Sequence, residues 1–449
     1  MNFTMAALVH VHVAAAAPPV ADASAAAAPE AADTGALLRT ALALRARGRP
    51  AALAALKRVI AAAEAREALA AAAVRRRPGW GDRTPRVATD QRRLRSVAAF
   101  HYCVLLLQKE GGGAEADALC RRYGYGCRLS DACFAHAAAP RTGDLAPIAR
   151  AVDGALPEAL FEEARAAFGP NAAYWKRDHG GGAASAAAPA GFFSYNFPLG
   201  GPDADAPPGL VESVVRSLLP VARRLAPSRA RIASAEVWVH RRSGADQHQL
   251  HYDTDETRLL TTGVVSSPVV SCVLCLSPGN GAPTLVVDRA HGDAEAWDDR
   301  GALCVPAPNR LLAFPGDLLH GVLPARRHGH DDESAAARVT FMVGFWGPGV
   351  TLAAASTRAP APNMRPAAEG ASPGSPFRAA RSTRDAGDAS AREIPLPEIS
   401  PVWSRVPAGD PDASGDLARG AVAFPGRFFL RRGPADIDDE IRALSTRKP

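Results

Sequence analysis

Apolar residues recur at helical spacing in the first third of the chain. The pattern covers residues 36–75, where a glycine and a proline interrupt it near the start, and then residues 91–110. This spacing predicts two helices joined by a turn, followed by a third helix. Shorter helices are predicted over 157–168 and 208–225, the first of which opens at a proline.

From residue 232 to residue 346 the pattern changes to short apolar runs that are separated by turn residues. Many short runs at this spacing predict an antiparallel sandwich or barrel rather than alternating strands and helices. A further strand is predicted around 258–265. The clearest predicted strands are Ile232–His240, Gln249–Tyr252, Val269–Ser277, Thr284–Asp288, Arg310–Phe314, Leu318–Leu323 and Arg338–Trp346.

Together these patterns predict an α+β protein with five regions. Too many large apolar residues gather in the last region for a solvated tail, so we expect it to dock on the β domain. The regions are a disordered N-terminus over 1–35, an α-helical region over 36–135, a β domain over 145–350, a disordered linker over 351–395 and a C-terminal segment over 396–449.

Composition narrows the class of protein. With 449 residues, 47% of them apolar, the chain is long enough for a large buried core, and a disulfide miniprotein is excluded. The formal net charge is +6, but the arginines are spread along the chain, which argues against nucleic-acid binding. No apolar stretch is long enough for a transmembrane helix. We expect a soluble intracellular protein, cytoplasmic or nuclear, with a faint secretory signal at residues 5–17 as the alternative.

The most informative stretch contains His251, Tyr252 and Asp253. On an extended chain, residues two apart face the same side, so the imidazole and the carboxylate would point together. These are two of the three ligands of a 2-His-1-carboxylate iron site. A third ligand is available at His320, in a predicted strand that follows a Pro-Gly-Asp turn. Tyr252 would face the opposite side as a packing residue. The competing interpretation is a satisfied polar core.

The last predicted strand adds a guanidinium and a hydroxyl on one face. Arg338 and Thr340 are again two residues apart. An arginine beside a hydroxyl suits the binding of a carboxylate through charge-assisted hydrogen bonds. His240 and His248 flank the site in sequence and are interpreted as structural or rim residues. Because His248 lies three residues from His251, a regular strand would turn it away from the site.

Residues 157–346 resemble the Fe(II)- and 2-oxoglutarate-dependent dioxygenases, near their prolyl 4-hydroxylase-like branch. The likeness is carried by HYD at 251–253, GAPTLVVD at 281–288, FPGDLLHGV at 314–322 and RVTFMVGFW at 338–346. The resemblance implies a double-stranded β-helix (jelly-roll) core with flanking helices. It also implies that His251, Asp253 and His320 bind Fe(II), and that Arg338, helped by Thr340, binds the distal carboxylate of 2-oxoglutarate.

The implied reaction is hydroxylation of a C–H bond, with O2 consumed and succinate and CO2 released. No catalytic residue beyond the metal ligands is implied, and a need for ascorbate stays open. The substrate would be a protein side chain or a small molecule. Two features depart from prolyl 4-hydroxylases: they usually carry lysine where Arg338 stands, and the polar stretch 325–337 lengthens the gap after His320.

Other functions compete with a hydroxylase. A demethylase would use the same iron site, and a cupin-like metal enzyme would do without 2-oxoglutarate and so without the carboxylate-binding pair. A non-catalytic β-helix interaction protein is the third alternative. Asp253 argues against a halogenase, which typically lacks the carboxylate ligand. A structural zinc site at Cys120, Cys127 and Cys133 is disfavoured because their spacing contains no CxxC pair.

Overall fold

The computed structural model divides the chain into two compact units. The first contains the residues up to 135 with 326–331 and 405–432, and the second contains 136–325, 332–404 and 433–449. The predicted disordered regions fall almost wholly outside the described residues. The structure describes residues 33–44, 49–75, 86–140, 146–169, 171–172, 174–175, 195–199, 209–228, 230–242, 247–277, 281–294, 296–326, 338–349, 391–408, 424 and 427–445.

The helices of the described residues follow the apolar spacing of the sequence. In chain order they are α1 (Thr34–Ala43), α2 (Arg49–Arg75), α3 (Arg86–Leu107), α4 (Gly113–Arg122), α5 (Asp131–Ala135), α6 (Glu158–Phe168), α7 (Leu210–Leu225), α8 (Glu256–Thr262) and α9 (Asp436–Ser445). The predicted helices over 36–75, 91–110, 157–168 and 208–225 are confirmed as α1 with α2, α3, α6 and α7.

The strands are short and pair only in antiparallel fashion where their register is described. In chain order they are β1 (Cys127–Leu129), β2 (Arg150–Asp153), β3 (Tyr195–Pro198), β4 (Ser234–Arg242), β5 (His248–His251), β6 (Val270–Cys275), β7 (Thr284–Ala290), β8 (Gly301–Cys304), β9 (Leu311–Pro315), β10 (Leu318–Val322), β11 (Arg338–Trp346), β12 (Arg392–Ile394), β13 (Glu398–Ile399), β14 (Trp403–Arg405) and β15 (Phe429–Leu430).

One predicted strand, around 258–265, is wrong because α8 occupies most of it. Asp255 caps this helix by accepting a hydrogen bond from the Arg258 backbone N–H at 2.9 Å. Gly263 ends the helix in the left-handed conformation, with φ at 72°. An N-cap aspartate and a C-terminal glycine at this separation define a two-turn helix. These two caps decide the structure here, although the apolar run between them suggested a strand.

In the first unit, an aromatic cluster surrounds Phe100 of α3. Its ring lies 6.0 Å from that of Phe429 and 6.4 Å from that of Phe428. Strand β1 pairs with β15, which carries Phe429. A buried arginine, Arg128, donates to Asp117 and to Asp131 at 2.7 Å each. The helical region of the sequence thus has a core of its own, formed with residues from near the end of the chain.

The second unit is built on two antiparallel sheets. The larger has the strand order β12-β2-β9-β6-β11-β4-β3, and the smaller has the order β13-β8-β7-β10-β5. From β4 to β11 the chain passes repeatedly between them, so that strands distant in sequence become neighbours. A mixed fold of helices and antiparallel sheets, as predicted, is confirmed. The sequence pattern did not reveal β2 or β8, which have four residues each.

Alternation along β11 gives the larger sheet two different faces. Val339, Phe341, Val343 and Phe345 pack in a fully buried core with residues of α6 and α7. The residues between them face the other sheet. Along β4 the same alternation buries Val237 and Val239 against the helices. The helices thus cover the apolar face of the larger sheet.

Phe341 tests this core, because its side chain is fully buried and its ring lies 5.6 Å from that of Phe168 in an edge-to-face contact. We expect Phe341→Ala to lower the free energy of unfolding of this unit by about 3–5 kcal/mol, measured by urea denaturation. Val305→Ala is the control, because Val305 is 50% exposed. Equal unfolding midpoints for the two variants would contradict the assignment of Phe341 to the core.

Candidate metal centre and adjoining cavity

Three ligand-type side chains converge between the two sheets. His251 ends β5, Asp253 follows two residues later, and His320 lies in β10 directly opposite His251. Each offers one ligand atom, and these atoms all lie within 4.8 Å of one another. Among the described residues this is the one group of three or more His, Cys, Asp or Glu side chains with such a geometry. The cysteines considered for zinc form no such group there.

Backbone carbonyls fix the orientation of both imidazoles. The Nδ1–H of His251 donates to the Gln249 carbonyl at 2.9 Å, and that of His320 donates to the Leu318 carbonyl at 3.0 Å. A carbonyl can only accept, so Nδ1 carries the proton in each ring and Nε2 keeps its lone pair. Both Nε2 atoms face the same Asp253 oxygen, at 3.7 Å and 3.6 Å. The two lone pairs therefore point into one common space.

Asp253 is oriented by a serine from the larger sheet. Its Oδ2 accepts a hydrogen bond from Ser271 Oγ at 2.7 Å, while its Oδ1 faces the two imidazoles. One carboxylate oxygen thus accepts from the serine hydroxyl, and the other faces the space between the two imidazoles. Such outer hydrogen bonds hold metal ligands in place in metalloproteins. Ser271 carried no motif in the sequence, and only the fold brings it to the site.

The cavity beside these residues continues to Arg338 and Thr340. The guanidinium is 6% exposed and donates to the Ala282 carbonyl at 2.6 Å and to Thr284 Oγ1 at 2.9 Å. Both of these partners are neutral, and no carboxylate within the described part of the chain pairs with it. Burial lowers the pKa of Arg338. The arginine therefore brings a charge into the cavity that none of the described residues neutralises.

A second arginine faces the same cavity. Arg242 of β4 is the cross-strand partner of Arg338, and His240 is the partner of Thr340. Arg242 Nη2 lies 3.3 Å from His240 Nδ1. Like charges placed directly opposite each other on a sheet destabilise it. This end of the cavity thus carries two arginines, and no sequence motif pointed to Arg242, whereas His240 was expected at the rim.

The structure turns His248 toward the site, contrary to the strand-based expectation. Its ring stacks on that of His251 with centroids 4.5 Å apart and planes at 17°. The cause is an irregularity in the pairing of β5 with β10. His251 faces His320 and His248 faces Val322, so three residues along β5 span the same length as two residues along β10. A β-bulge of this kind brings residues three apart to one side. Burial and the neighbouring cationic groups lower the pKa of His248.

Of the polar stretch 325–337, the structure describes only residues 325 and 326. No helix in the described part of the chain is long and apolar enough to cross a membrane.

No family model matches the chain, and no curated protein matches it. Solved structures share a weak likeness. They include a prolyl-4-hydroxylase of Pseudomonas putida, at 20% identity over 31% of this chain and 61% of that one, with a TM-score of 0.18. The chain thus spans about three fifths of that enzyme's length.

Two further similar structures are the non-heme alpha-ketoglutarate-dependent carbocyclase SnoK from nogalamycin biosynthesis and HygX from Streptomyces hygroscopicus with iron bound. Identity to SnoK is 15%, over 34% of this chain and 66% of that one, with a TM-score of 0.22. Identity to HygX is 12%, over 44% of this chain and 82% of that one, with a TM-score of 0.25. Because these TM-scores are so low, the case for a function rests on the site geometry.

We expect Ser271→Ala to weaken divalent metal binding by about tenfold or more, because Asp253 Oδ2 loses its donor and the carboxylate can rotate. Binding of Mn(II) is measured by the electron paramagnetic resonance signal of the free ion. Ser217→Ala, on α7, is the matched control. If both serine variants bind Mn(II) like the unaltered protein, Ser271 does not orient the ligand.

Gly321 makes a second test, because the backbone of β5 passes close beside it. A methyl group at this position would lie 2.8 Å from the His248 carbonyl oxygen and 3.0 Å from that of Gln249. We expect Gly321→Ala to push β5 away from β10 and to lower the affinity for Mn(II). At Gly347 the nearest atom would be 3.7 Å away, so Gly347→Ala should bind normally. Equal affinity of the two glycine variants would show that the spacing of β5 and β10 does not govern the site.

Proposed function

We propose that this chain is an Fe(II)- and 2-oxoglutarate-dependent oxygenase that hydroxylates a C–H bond of a protein side chain or a small molecule. Peptidyl proline is one such side chain. The observation that carries the proposal is the convergence of two imidazole nitrogens and one carboxylate oxygen in a cavity that also contains the buried Arg338. The imidazoles and the carboxylate favour Fe(II), and the buried arginine favours 2-oxoglutarate.

The ligand set fits non-heme iron. Two imidazoles and one carboxylate with open positions form the facial arrangement typical of Fe(II) oxygenases. Structural zinc sites are closed by four protein ligands, and within the described residues no fourth ligand joins His251, Asp253 and His320. The tautomers set by the Gln249 and Leu318 carbonyls give each Nε2 the lone pair that a metal ligand needs.

Arg338 favours an anionic second ligand. An ionised group that is buried without a counter-charge is unfavourable, and no carboxylate among the described residues pairs with Arg338. A carboxylate bound at this end of the cavity would neutralise that charge. The cosubstrate 2-oxoglutarate has two carboxylates, so one can bind at the metal while the other is bound by Arg338 and Thr340. A cupin-like metal enzyme without this cosubstrate has no need of the pair.

The strand order supports a jelly-roll core. Strands β4, β6, β9 and β11 belong to the larger sheet, whereas β5, β7, β8 and β10 belong to the smaller one. Eight antiparallel strands divided in this way between two sheets are what a double-stranded β-helix contains. In the proposed enzyme the remaining strands and the helices α6 and α7 extend and cover this core.

When bound, iron and 2-oxoglutarate would supply the oxidising power that converts O2 and a C–H bond into an alcohol, with succinate and CO2 as by-products. The chain holds the metal through His251, Asp253 and His320, and orients the cosubstrate through Arg338. Apolar and aromatic side chains of the cavity wall, such as Trp238 and Met342, exclude water from the reacting groups.

The test is an anaerobic titration of the purified protein with Fe(II) and then with 2-oxoglutarate. We expect a weak visible charge-transfer band when the 2-oxo acid binds to the metal. His320→Ala should abolish the band because a ligand is lost. Arg338→Ala should require roughly tenfold or more cosubstrate, because a hydrogen-bonded charge is worth about 1.5–3 kcal/mol.

Arg224→Ala, an exposed arginine on α7, is the matched control and should titrate like the unaltered protein. A folded, iron-loaded protein that gives no band would overturn the use of 2-oxoglutarate and favour the cupin-like enzyme. Failure of the folded protein to bind iron would favour the non-catalytic interaction protein.

A further inference from the structure

Asp253 lies in a part of the chain that no regular element holds. Strand β5 ends at His251 and helix α8 begins at Glu256, so the residues between them belong to neither. The Asp255 backbone N–H donates to the Ser266 carbonyl at 2.8 Å. Because strand pairing does not place Asp253, this backbone hydrogen bond and side-chain contacts from the surrounding structure hold the segment.

Tyr252, between the two ligands, is the side chain that anchors this segment. It points away from the cavity and is 4% exposed. Its hydroxyl donates to the Ala290 carbonyl at 3.4 Å, and its ring meets that of His291 edge to face at 5.6 Å. Burial and the nearby charge of Asp438 raise the pKa of Tyr252.

Next to Ala290 in β7 is Arg289, which forms a buried ion pair that connects this strand to the C-terminal helix α9. Arg289 Nη2 lies 3.1 Å from Asp438 Oδ2, with the two side chains 1% and 3% exposed. Arg289 also donates to the Asp293 carbonyl at 3.1 Å and to the Ala294 carbonyl at 3.0 Å. Asp438 thus connects α9 to β7, the strand whose Ala290 carbonyl accepts from Tyr252.

The same helix also contacts the segment at its other end. Helix α9 packs against α8, which starts two residues after Thr254 and is capped by the fully buried Asp255. The C-terminal helix is therefore connected to Tyr252 through β7, by way of Arg289 and Ala290, and it contacts α8 directly. A helix that is connected to both sides of an irregular segment limits the conformations open to the residues between.

We propose that helix α9 is a positioning element of the metal centre, in which Asp438 acts through Arg289 and Tyr252 to hold His251 and Asp253 in ligating geometry. The proposal rests on the proposed metal site. Metal binding and docking of α9 then stabilise each other, because coupling between two sites is reciprocal. Asp438, Arg289 and Tyr252 are positioning residues that touch neither metal nor substrate.

Two variants separate positioning from folding. Tyr252→Phe removes only the hydroxyl and keeps both charges, whereas Asp438→Asn keeps the shape and removes one charge. Breaking a buried ion pair is strongly destabilising, so Tyr252→Phe decides the question if Asp438→Asn does not fold. Glu440→Gln, on an exposed position of the same helix, is the matched control.

Affinity for Mn(II) alone is measured for the full chain by electron paramagnetic resonance. We expect each positioning variant to bind Mn(II) about tenfold more weakly, as is typical when support behind a ligand is lost. The double variant should be no weaker than the weaker single variant, because both act along one path. Glu440→Gln should bind normally.

Amide hydrogen exchange gives a second readout that a merely structural role would not change. Mn(II) should slow exchange in residues 436–445 of the unaltered protein, and it should not do so in Tyr252→Phe. Variants that lose thermal stability but bind Mn(II) normally would overturn the positioning role, as would exchange in α9 that ignores the metal. If the unaltered, folded protein does not bind Mn(II), the proposed metal site itself fails, which is a different result.

Discussion

The pairing of β5 with β10 is the constraint on which the site depends. It places His251 opposite His320, so that two imidazoles from distant parts of the sequence face one space. Gly321 permits the close approach of the two strands, since any side chain there would meet the β5 backbone. A one-residue slip would turn one histidine to the opposite face, so the register and the ligand set are specified together.

Alternation explains why so much of the fold follows from the sequence. In β11 every second residue from Val339 to Phe345 is a large apolar side chain of the core, and β4 adds Val237 and Val239 to the same face. The intervening positions hold cavity residues: Trp238, His240, Arg242, Arg338 and Thr340. A strand with one face against helices and the other toward a cavity must show this two-residue period. The same period predicts that Arg338 and Thr340 share a face, as they do in β11, and that His251 and Asp253 share one, although Asp253 lies beyond the end of β5.

What the sequence could not indicate depends on irregular backbone or on distant contacts. The bulge in β5 shifts the alternation and brings His248 to the side of His251, and a single residue out of register leaves no mark in an apolar pattern. Ser271 reaches Asp253 only through the sheet arrangement, and Arg242 is a neighbour of Arg338 only through strand pairing. Helix α8 was missed because its caps, rather than its apolar residues, define it.

The two ends of the cavity are held by different means. Arg338 lies in the nine-residue strand β11, which pairs along its length with β4 and over six residues with β6, and its guanidinium is fixed by two further hydrogen bonds. Asp253 lies in irregular backbone and is fixed by Ser271 and by the anchoring of Tyr252. The proposed anion-binding end is thus preformed by regular structure, whereas the candidate metal centre depends on side chains from several elements. Under the two proposals, we therefore expect substitutions far from the cavity, in α9 above all, to weaken metal binding before they weaken anion binding.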